Sequence, residues 1–350
     1  MKEHMIDLPK KIVVGEGVIG KTPKYLRELG IGNRVLIITG PNVFNIIGKD
    51  VMEMLQEAKF DVIYKIVKNA HINTINSIIE EFKNENIDAI IGLGGGKSID
   101  TAKYVSYVLD KFFISMPTAA SHDGVASPFA SIKGLGKPTS VKTKVPLAII
   151  ADSSVIAKAP YRLLASGVGD VIAKFTAVLD WRLAHKLKNE YYGEYAASLA
   201  LLSAKHVLCY ANVIRRGDEK AVRIVMEALI SSSIAMCIAG STRPGSGSEH
   251  LFSHALDLIA PKPALHGEQC GVGTIMMAYL HGKDWRKIRR TLRRIGAPTT
   301  AKGLGIPDYY IIKALTTAHK IRPERYTILG ETGLTWEAAE NLARITGVID

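Results

Sequence analysis

The chain has 350 residues, 47% of them hydrophobic, with a formal net charge of +12 and three cysteines. That length exceeds one ordinary core and predicts two domains, while the apolar content excludes a disordered chain. An odd number of cysteines with no Cys-x-x-Cys excludes a disulfide framework and points to a reducing, cytoplasmic compartment.

The start, MKEHMIDLPKKIVVGEG, holds no apolar run of the kind a signal peptide needs. Arg34–Thr39, Phe60–Tyr64 and Ile87–Ile91 are short β-branched runs that read as buried strands. Val43–Glu57 and Asn73–Glu85 read as helices between them, the second with Asn73 as its N-cap, and another helix begins at Lys97. Strands follow at Phe112–Met116 and Val145–Ile150. Alternating β and α predicts a parallel, doubly wound sheet. From Pro160 onward helical periods dominate, in Tyr191–Arg215, Glu219–Ala239, Gly245–Ile259 and Trp336–Thr346. The predicted fold is α/β, with a Rossmann-like domain over 1–155 and an all-helical domain over 156–350. The most apolar helical stretch, Ala228–Gly240, is short of the ~20 residues of a membrane span. In Lys283–Arg294 the apolar residues Trp285, Ile288 and Leu292 recur at helical spacing, continued by Ile295. The basic residues there read as the solvated back of an amphipathic helix, not as a nucleic-acid surface.

Two loops leave the carboxyl ends of strands, where open α/β sheets bind ligands. In the first, Gly92-Leu93-Gly94-Gly95-Gly96-Lys97-Ser98-Ile99-Asp100, the glycines let backbone N–H groups approach an anion. It is not a P-loop, since Ile91 stands where that motif needs glycine, and Lys97 breaks the G-x-G-x-x-G fingerprint. The second, Pro117–Pro128, is rich in hydroxyls and small residues. After the strand at Val35–Ile38 comes Thr39-Gly40-Pro41-Asn42, without a carboxylate to repel a 2′-phosphate, so use of both NADH and NADPH is expected.

Three histidines fall within Ser248–Gln269. His250 and His254 are four apart and share a helix face, and His266 follows the turn Ala260-Pro261-Lys262-Pro263. Asp170 lies in a glycine-rich stretch that reads as a helix start, where a carboxylate would also suit the helix dipole. Clustered imidazoles with a carboxylate are the pattern of a metal site, and histidines four apart often both ligate.

Together and in this order, Gly94-Gly95-Gly96-Lys97-Ser98-Ile99-Asp100, Gly167-x-Gly169-Asp170, His250-x-x-x-His254 and His266-Gly267-Glu268 resemble a superfamily. It is the dehydroquinate synthase-like group, which also holds glycerol dehydrogenases and iron-type alcohol dehydrogenases. Pro117–Gly124 and Ser248–His250 resemble its archaeal branch that works on glycerol 1-phosphate. The resemblance implies an NAD(P)-binding first domain and a helical second domain carrying a catalytic divalent metal. Zinc is expected, and Fe(II) or Ni(II) would suit the same ligands. The resemblance assigns Asp170, His250 and His266 to the metal. It assigns His254 to substrate and proton transfer, with Asp123 and Asp170 also at the substrate. Gly95, Gly96, Lys97, Ser98, Ile99 and Asp100 would hold the cofactor, lined by Thr118, Ala119, Ala120, Ser121 and Ser127. The implied reaction is NAD(P)H-dependent reduction of dihydroxyacetone phosphate to sn-glycerol 1-phosphate, for archaeal ether phospholipids. A glycerol dehydrogenase would share the metal and glycine features, and a binding module without chemistry would make the histidines incidental. Lys174, one turn after Asp170, is the guess for a phosphate contact. The chain is expected to act as a homo-oligomer, without nucleic acid and without membrane insertion.

Overall fold

The computed structural model describes residues 3–136 and 139–350. The chain forms two compact units, Met1–Ala120 with Gly124–Pro160, and Ser121–Asp123 with Tyr161–Asp350.

The first unit holds strands β1 (Lys11–Gly15), β2 (Arg34–Thr39), β3 (Asp61–Ile66), β4 (Ala89–Gly94) and β5 (Phe112–Pro117). Strands β6 (Phe129–Ile132) and β7 (Thr139–Lys142) form an antiparallel pair, and β8 (Ala148–Asp152) completes the main sheet. Its helices are α1 (Thr22–Glu28), α2 (Pro41–Val43), α3 (Lys49–Glu57), α4 (Ile72–Phe82), α5 (Gly96–Val108) and α6 (Ser153–Ala157), with a π-helical turn, Phe44–Gly48, joining α2 to α3. The main sheet is parallel throughout, in the order β1-β8-β5-β4-β2-β3. Side chains alternate along each strand, so Val35 and Ile37 enter one core with Ala89 and Ile91, while Leu36, Ile38 and Ile90 enter another. The chain winds outward from β2 in one direction and from β4 in the other. Their neighbouring carboxyl ends are the switch point where such sheets bind ligands.

Three local expectations change. Strand β4 runs to Gly94, because Gly92 stays in the ladder opposite Ile38 and Ser115. Helix α4 begins at Ile72 and is capped by His71, whose Nδ1 accepts from the Asn73 N–H at 3.3 Å. Strand β1 carries no clear apolar period and only its pairing with β8 defines it.

The second unit is helical: α7 (Tyr161–Ile172), α8 (Lys174–Lys188), α9 (Glu194–Cys209), α10 (Ala211–Ile214), α11 (Glu219–Ala239), α12 (Ser248–Ile259), α13 (His266–Leu280), α14 (Trp285–Ile295), α15 (Ala301–Leu304), α16 (Asp308–Thr317) and α17 (Trp336–Ile345). Helix α13 is buried on every side from Gly267 to Ala278 and packs on α7, α8, α12 and α14. Its contact with α7 is backbone against backbone. A Cβ on Gly267 would strike the Ser166 carbonyl, and one on Gly169 would strike the Gly267 carbonyl. The glycines before Asp170 therefore do not start a helix. They lie within α7 and let α13 approach, which places Asp170 near the carboxyl end of α7. Helix α11 has 21 residues and a mean hydropathy of 1.8, so by length and composition it could cross a membrane, contrary to the shorter apolar stretch expected. Here 72% of that window is buried in the protein, against α9 and α7.

Candidate active site

The glycine turn of the first unit is built by backbone. Gly94 has φ +147°, a value that L side chains rarely adopt, and a Cβ there would press on Ser98. Helix α5 starts behind it without a side-chain cap, and the N–H groups of Gly96 and Lys97 have no acceptor among the described residues. The side chains of Ser98, Ile99 and Asp100 are buried, Ile99 within the core under the sheet. What these residues present outward is main chain, as a pyrophosphate requires. In the second loop the Thr118 N–H donates to the Gly94 carbonyl at 3.0 Å, and Ala119 and Ala120 are buried. Ser127 is buried too, its hydroxyl 3.3 Å from the Phe129 carbonyl. Ser121 belongs to the second unit, where its carbonyl lies 3.5 Å from the Ser166 hydroxyl.

The second unit gathers the histidines. Helix α12 carries His250 and His254 one turn apart, and α13 opens with His266. The ring centroids of His250 and His266 are 5.0 Å apart, and those of His254 and His266 are 5.6 Å apart. Asp170 joins through His250, whose Nε2 is 3.4 Å from Asp170 Oδ1. Ligand atoms of His250, His266 and Cys270 lie within 4.8 Å of one another, as do those of His254, Asp257 and His266. Cys270 was not expected here. It stands four residues after His266 on the same face of α13, with Sγ 3.6 Å from His266 Nε2, and the spacing was its signal.

Buried acids hold the cluster. Glu249 accepts hydrogen bonds from the Gly247 N–H at 2.6 Å, the Thr176 hydroxyl at 2.6 Å and His250 Nδ1 at 2.8 Å. That bond fixes the His250 ring with Nε2 toward Asp170, the carboxylate–imidazole arrangement that supports metal ligands. Asp180 of α8 caps α12 from outside, accepting from the Ser248 N–H at 2.7 Å and its hydroxyl at 2.6 Å. Gly247 is needed at this crossing, since a Cβ would meet Asp180 and Ala177. Ser253 lies 3.1 Å from His266 Nδ1 and accepts from Gln269 at 2.9 Å.

Lys174 occupies the other side of Asp170. Its ammonium meets Asp170 Oδ1 at 2.9 Å, Asp123 Oδ2 at 2.8 Å and the Gly245 carbonyl at 3.1 Å. All three N–H bonds are thereby used, and the side chain is fully buried. This removes Lys174 as a phosphate contact. Asp123 is fixed further, its N–H donating to Asp170 Oδ2 at 2.8 Å, Ser232 donating to its carboxylate at 3.2 Å and Ser233 to its carbonyl.

The donor set fits a divalent cation. Asp170 and Asp123 both meet the single ammonium of Lys174, and Glu249 stands behind His250. Burial opposes the charge on Asp170, yet Lys174 and His250 hold its pKa well below the usual carboxylate range. Burial would also lower His250, but Cys270, Asp170 and Glu249 hold it well above its ordinary value. His266 is pushed down to about 3, first by burial and then by His250, so its lone pair is available to a metal. Burial also lowers His254, whose Nδ1 has no hydrogen-bond partner and lies 3.8 Å from Asp257 Oδ2.

These features are those of a metal-dependent dehydrogenase built on a Rossmann-like unit, and residues 13–160 match the iron-containing alcohol dehydrogenase family. In fold the chain is similar to glycerol dehydrogenase from Schizosaccharomyces pombe, at TM-score 0.82 and 20% identity, covering 99% of this chain and 91% of that one. It is also similar to a probable glycerol dehydrogenase from Sinorhizobium meliloti, at TM-score 0.80 and 21% identity, covering 99% and 100%. In sequence it is 59% identical to glycerol-1-phosphate dehydrogenase (NAD(P)+) of Hyperthermus butylicus over 99% of both chains. To the same enzyme of Pyrococcus furiosus it is 55% identical, over 99% of this chain and 100% of that one. The chain belongs to the glycerol-1-phosphate dehydrogenase family.

Proposed function

We propose that the chain reduces dihydroxyacetone phosphate reversibly to sn-glycerol 1-phosphate with NADH or NADPH, supplying the glycerol backbone of archaeal ether phospholipids. The observation that carries this is identity above half, over the full length, with enzymes of that name. The first unit takes the cofactor, with main chain at Gly95–Asp100 on the pyrophosphate and Thr118, Ala119, Ala120 and Ser127 beside it. Ser121 of the second unit is assigned to the cofactor as well.

Asp170, His250 and His266 are the residues that would hold zinc. Their support is the buried carboxylates around the cluster and the neutral His266 imidazole described above. When bound, zinc supplies Lewis-acid stabilisation of the negative charge that develops on the ketone oxygen. Glu249 fixes the His250 ring, and Lys174 keeps Asp170 ionised and holds Asp170 and Asp123 in place. Asp123 and His254 orient the substrate. Because burial keeps the His254 imidazole neutral, its Nδ1 and Nε2 offer one donor and one acceptor for relaying the alcohol proton. The protein acts in the cytoplasm as a homo-oligomer, apart from nucleic acid and without inserting into a membrane.

The test is NADH oxidation with dihydroxyacetone phosphate beside unphosphorylated dihydroxyacetone. The phosphate should raise kcat/KM about 10²-fold or more, as expected of two charge-assisted contacts. Equal values would move the assignment to glycerol dehydrogenase. Product that an enzyme specific for glycerol 3-phosphate accepts would contradict the stereochemistry alone.

A further inference from the structure

The phosphate of a three-carbon ketone lies only three bonds from its carbonyl carbon. Its protein partner must therefore stand beside the histidine cluster. Lys174 is consumed by Asp123, Asp170 and Gly245, so the cation has to come from elsewhere.

The segment after α16 supplies one. A 3₁₀ turn, Ala318–Lys320, packs on α12, the helix of His250 and His254. Residues 321–328 follow and are stapled down at three points. Arg325 donates to the Ser246 carbonyl and the Thr242 hydroxyl, both at 2.5 Å. Arg243 donates to the Tyr326 carbonyl at 2.9 Å, and the Ile328 N–H donates to Asp180 at 2.7 Å. Three arginines thus crowd this loop, and among the described residues Arg243 is the one in a close ion pair, with Glu190 at 2.6 Å. The Arg322 side chain is half-buried and makes no hydrogen bond or close ion pair among the described residues, and Glu324, two residues on, is the acid whose charge reaches it. Its charge reaches His254 and helps lower that imidazole, after burial. Arg325 is pushed down to about 9, first by burial and then by Arg322 and Arg243, against the pull of Glu190 and Glu249.

We propose that Arg322 is the phosphate-binding residue of the substrate site and sets the preference for a phosphorylated ketone. The guanidinium fork matches two phosphate oxygens, which a half-buried arginine without a side-chain hydrogen bond, two residues after the turn packed on α12, is placed to hold. Binding there draws on energy remote from the reacting carbon to orient the ketone. The inference rests on the substrate reading above.

Kinetics of wild type, Arg322→Met and Arg322→Lys on dihydroxyacetone phosphate and dihydroxyacetone test it, with calorimetric titration of glycerol 1-phosphate. In Arg322→Met the ratio of kcat/KM for the two substrates should collapse by about 10²-fold, and glycerol 1-phosphate should bind weaker by a similar factor. Arg322→Lys keeps charge but loses the fork, and should recover part of both losses. A wild-type ratio and affinity in Arg322→Met would overturn the proposal while leaving the substrate reading intact. If Arg322→Met does not fold, a wild-type ratio in Arg322→Lys, or an equal loss on both substrates, overturns it. Absence of any phosphate preference in wild type would overturn the substrate reading itself and this proposal with it.

Discussion

Lys103 and Lys174 are both fully buried, one in each unit, and their partners differ in kind. Lys103 donates to the carbonyls of Gly124 and Phe129 at 2.5 and 2.7 Å, with Asp100 3.7 Å away. Lys174 meets two carboxylates within 2.9 Å. The carbonyls make Lys103 a tie between α5 and the loop that follows Asp123. The carboxylates make Lys174 part of the charge balance of the site. Burial would lower its pKa, but Asp123 and Asp170 hold it well above the usual lysine value, so it stays cationic. The first unit presents main chain at its glycine turn, and the helical unit presents charged side chains at the histidine cluster. Substitutions should therefore damage the two units in different currencies, shape in one and charge in the other.

The largest difference is expected from the lysines. Lys174→Met leaves Asp123 and Asp170 without their cation, a loss of about 3–5 kcal/mol for a broken buried pair. The loss should be greater in chelator-treated protein than in zinc-loaded protein, since zinc would neutralise Asp170. Urea midpoints with and without metal check this, and equal losses would detach Lys174 from the metal. Lys103→Met removes its two buried hydrogen bonds to the Gly124 and Phe129 carbonyls and should cost about 1–3 kcal/mol, with or without metal. A metal-dependent cost there would erase the contrast. Glu249→Gln should keep the fold and weaken zinc about 10–100-fold, as loss of a carboxylate behind a ligating histidine does. A chelator competition titration measures it. The smallest effect concerns the cofactor. With Thr39-Gly40-Pro41-Asn42 at the end of β2, kcat/KM for NADH and NADPH should differ by less than about 10³-fold, some 4 kcal/mol. A greater preference would reveal an acidic group in that pocket.

Much of this was legible in the sequence wherever a local pattern carried it. Strand β2 and helix α11 fall where their apolar patterns place them. The three histidines converge as their spacing around the Pro261 turn implied. What escaped depends on partners distant in the chain. Gly167 and Gly169 read locally as a helix start, yet their purpose is the approach of α13 more than ninety residues later. Glu249 looks like an ordinary helix residue until Thr176 and Gly247 fix its carboxylate behind His250, whereas the spacing of Cys270 from His266 was a local signal. Lys174 looked available for phosphate, because nothing local announces Asp123 as its second partner. Arg322 sits in a loop without periodicity, so only the turn before it, Ala318–Lys320, packed on α12, distinguishes it from the other arginines.

Among the described residues two overlapping groups could hold a metal by proximity, and His266 belongs to both. Zinc content per chain, measured by mass spectrometry on Asp170→Asn, His250→Ala, His266→Ala, His254→Ala and Cys270→Ala, separates them. The account predicts one ion per chain in wild type, His254→Ala and Cys270→Ala, and its loss in the other three variants. Full zinc in Asp170→Asn together with loss in His254→Ala would contradict it and place the ion between His254, Asp257 and His266.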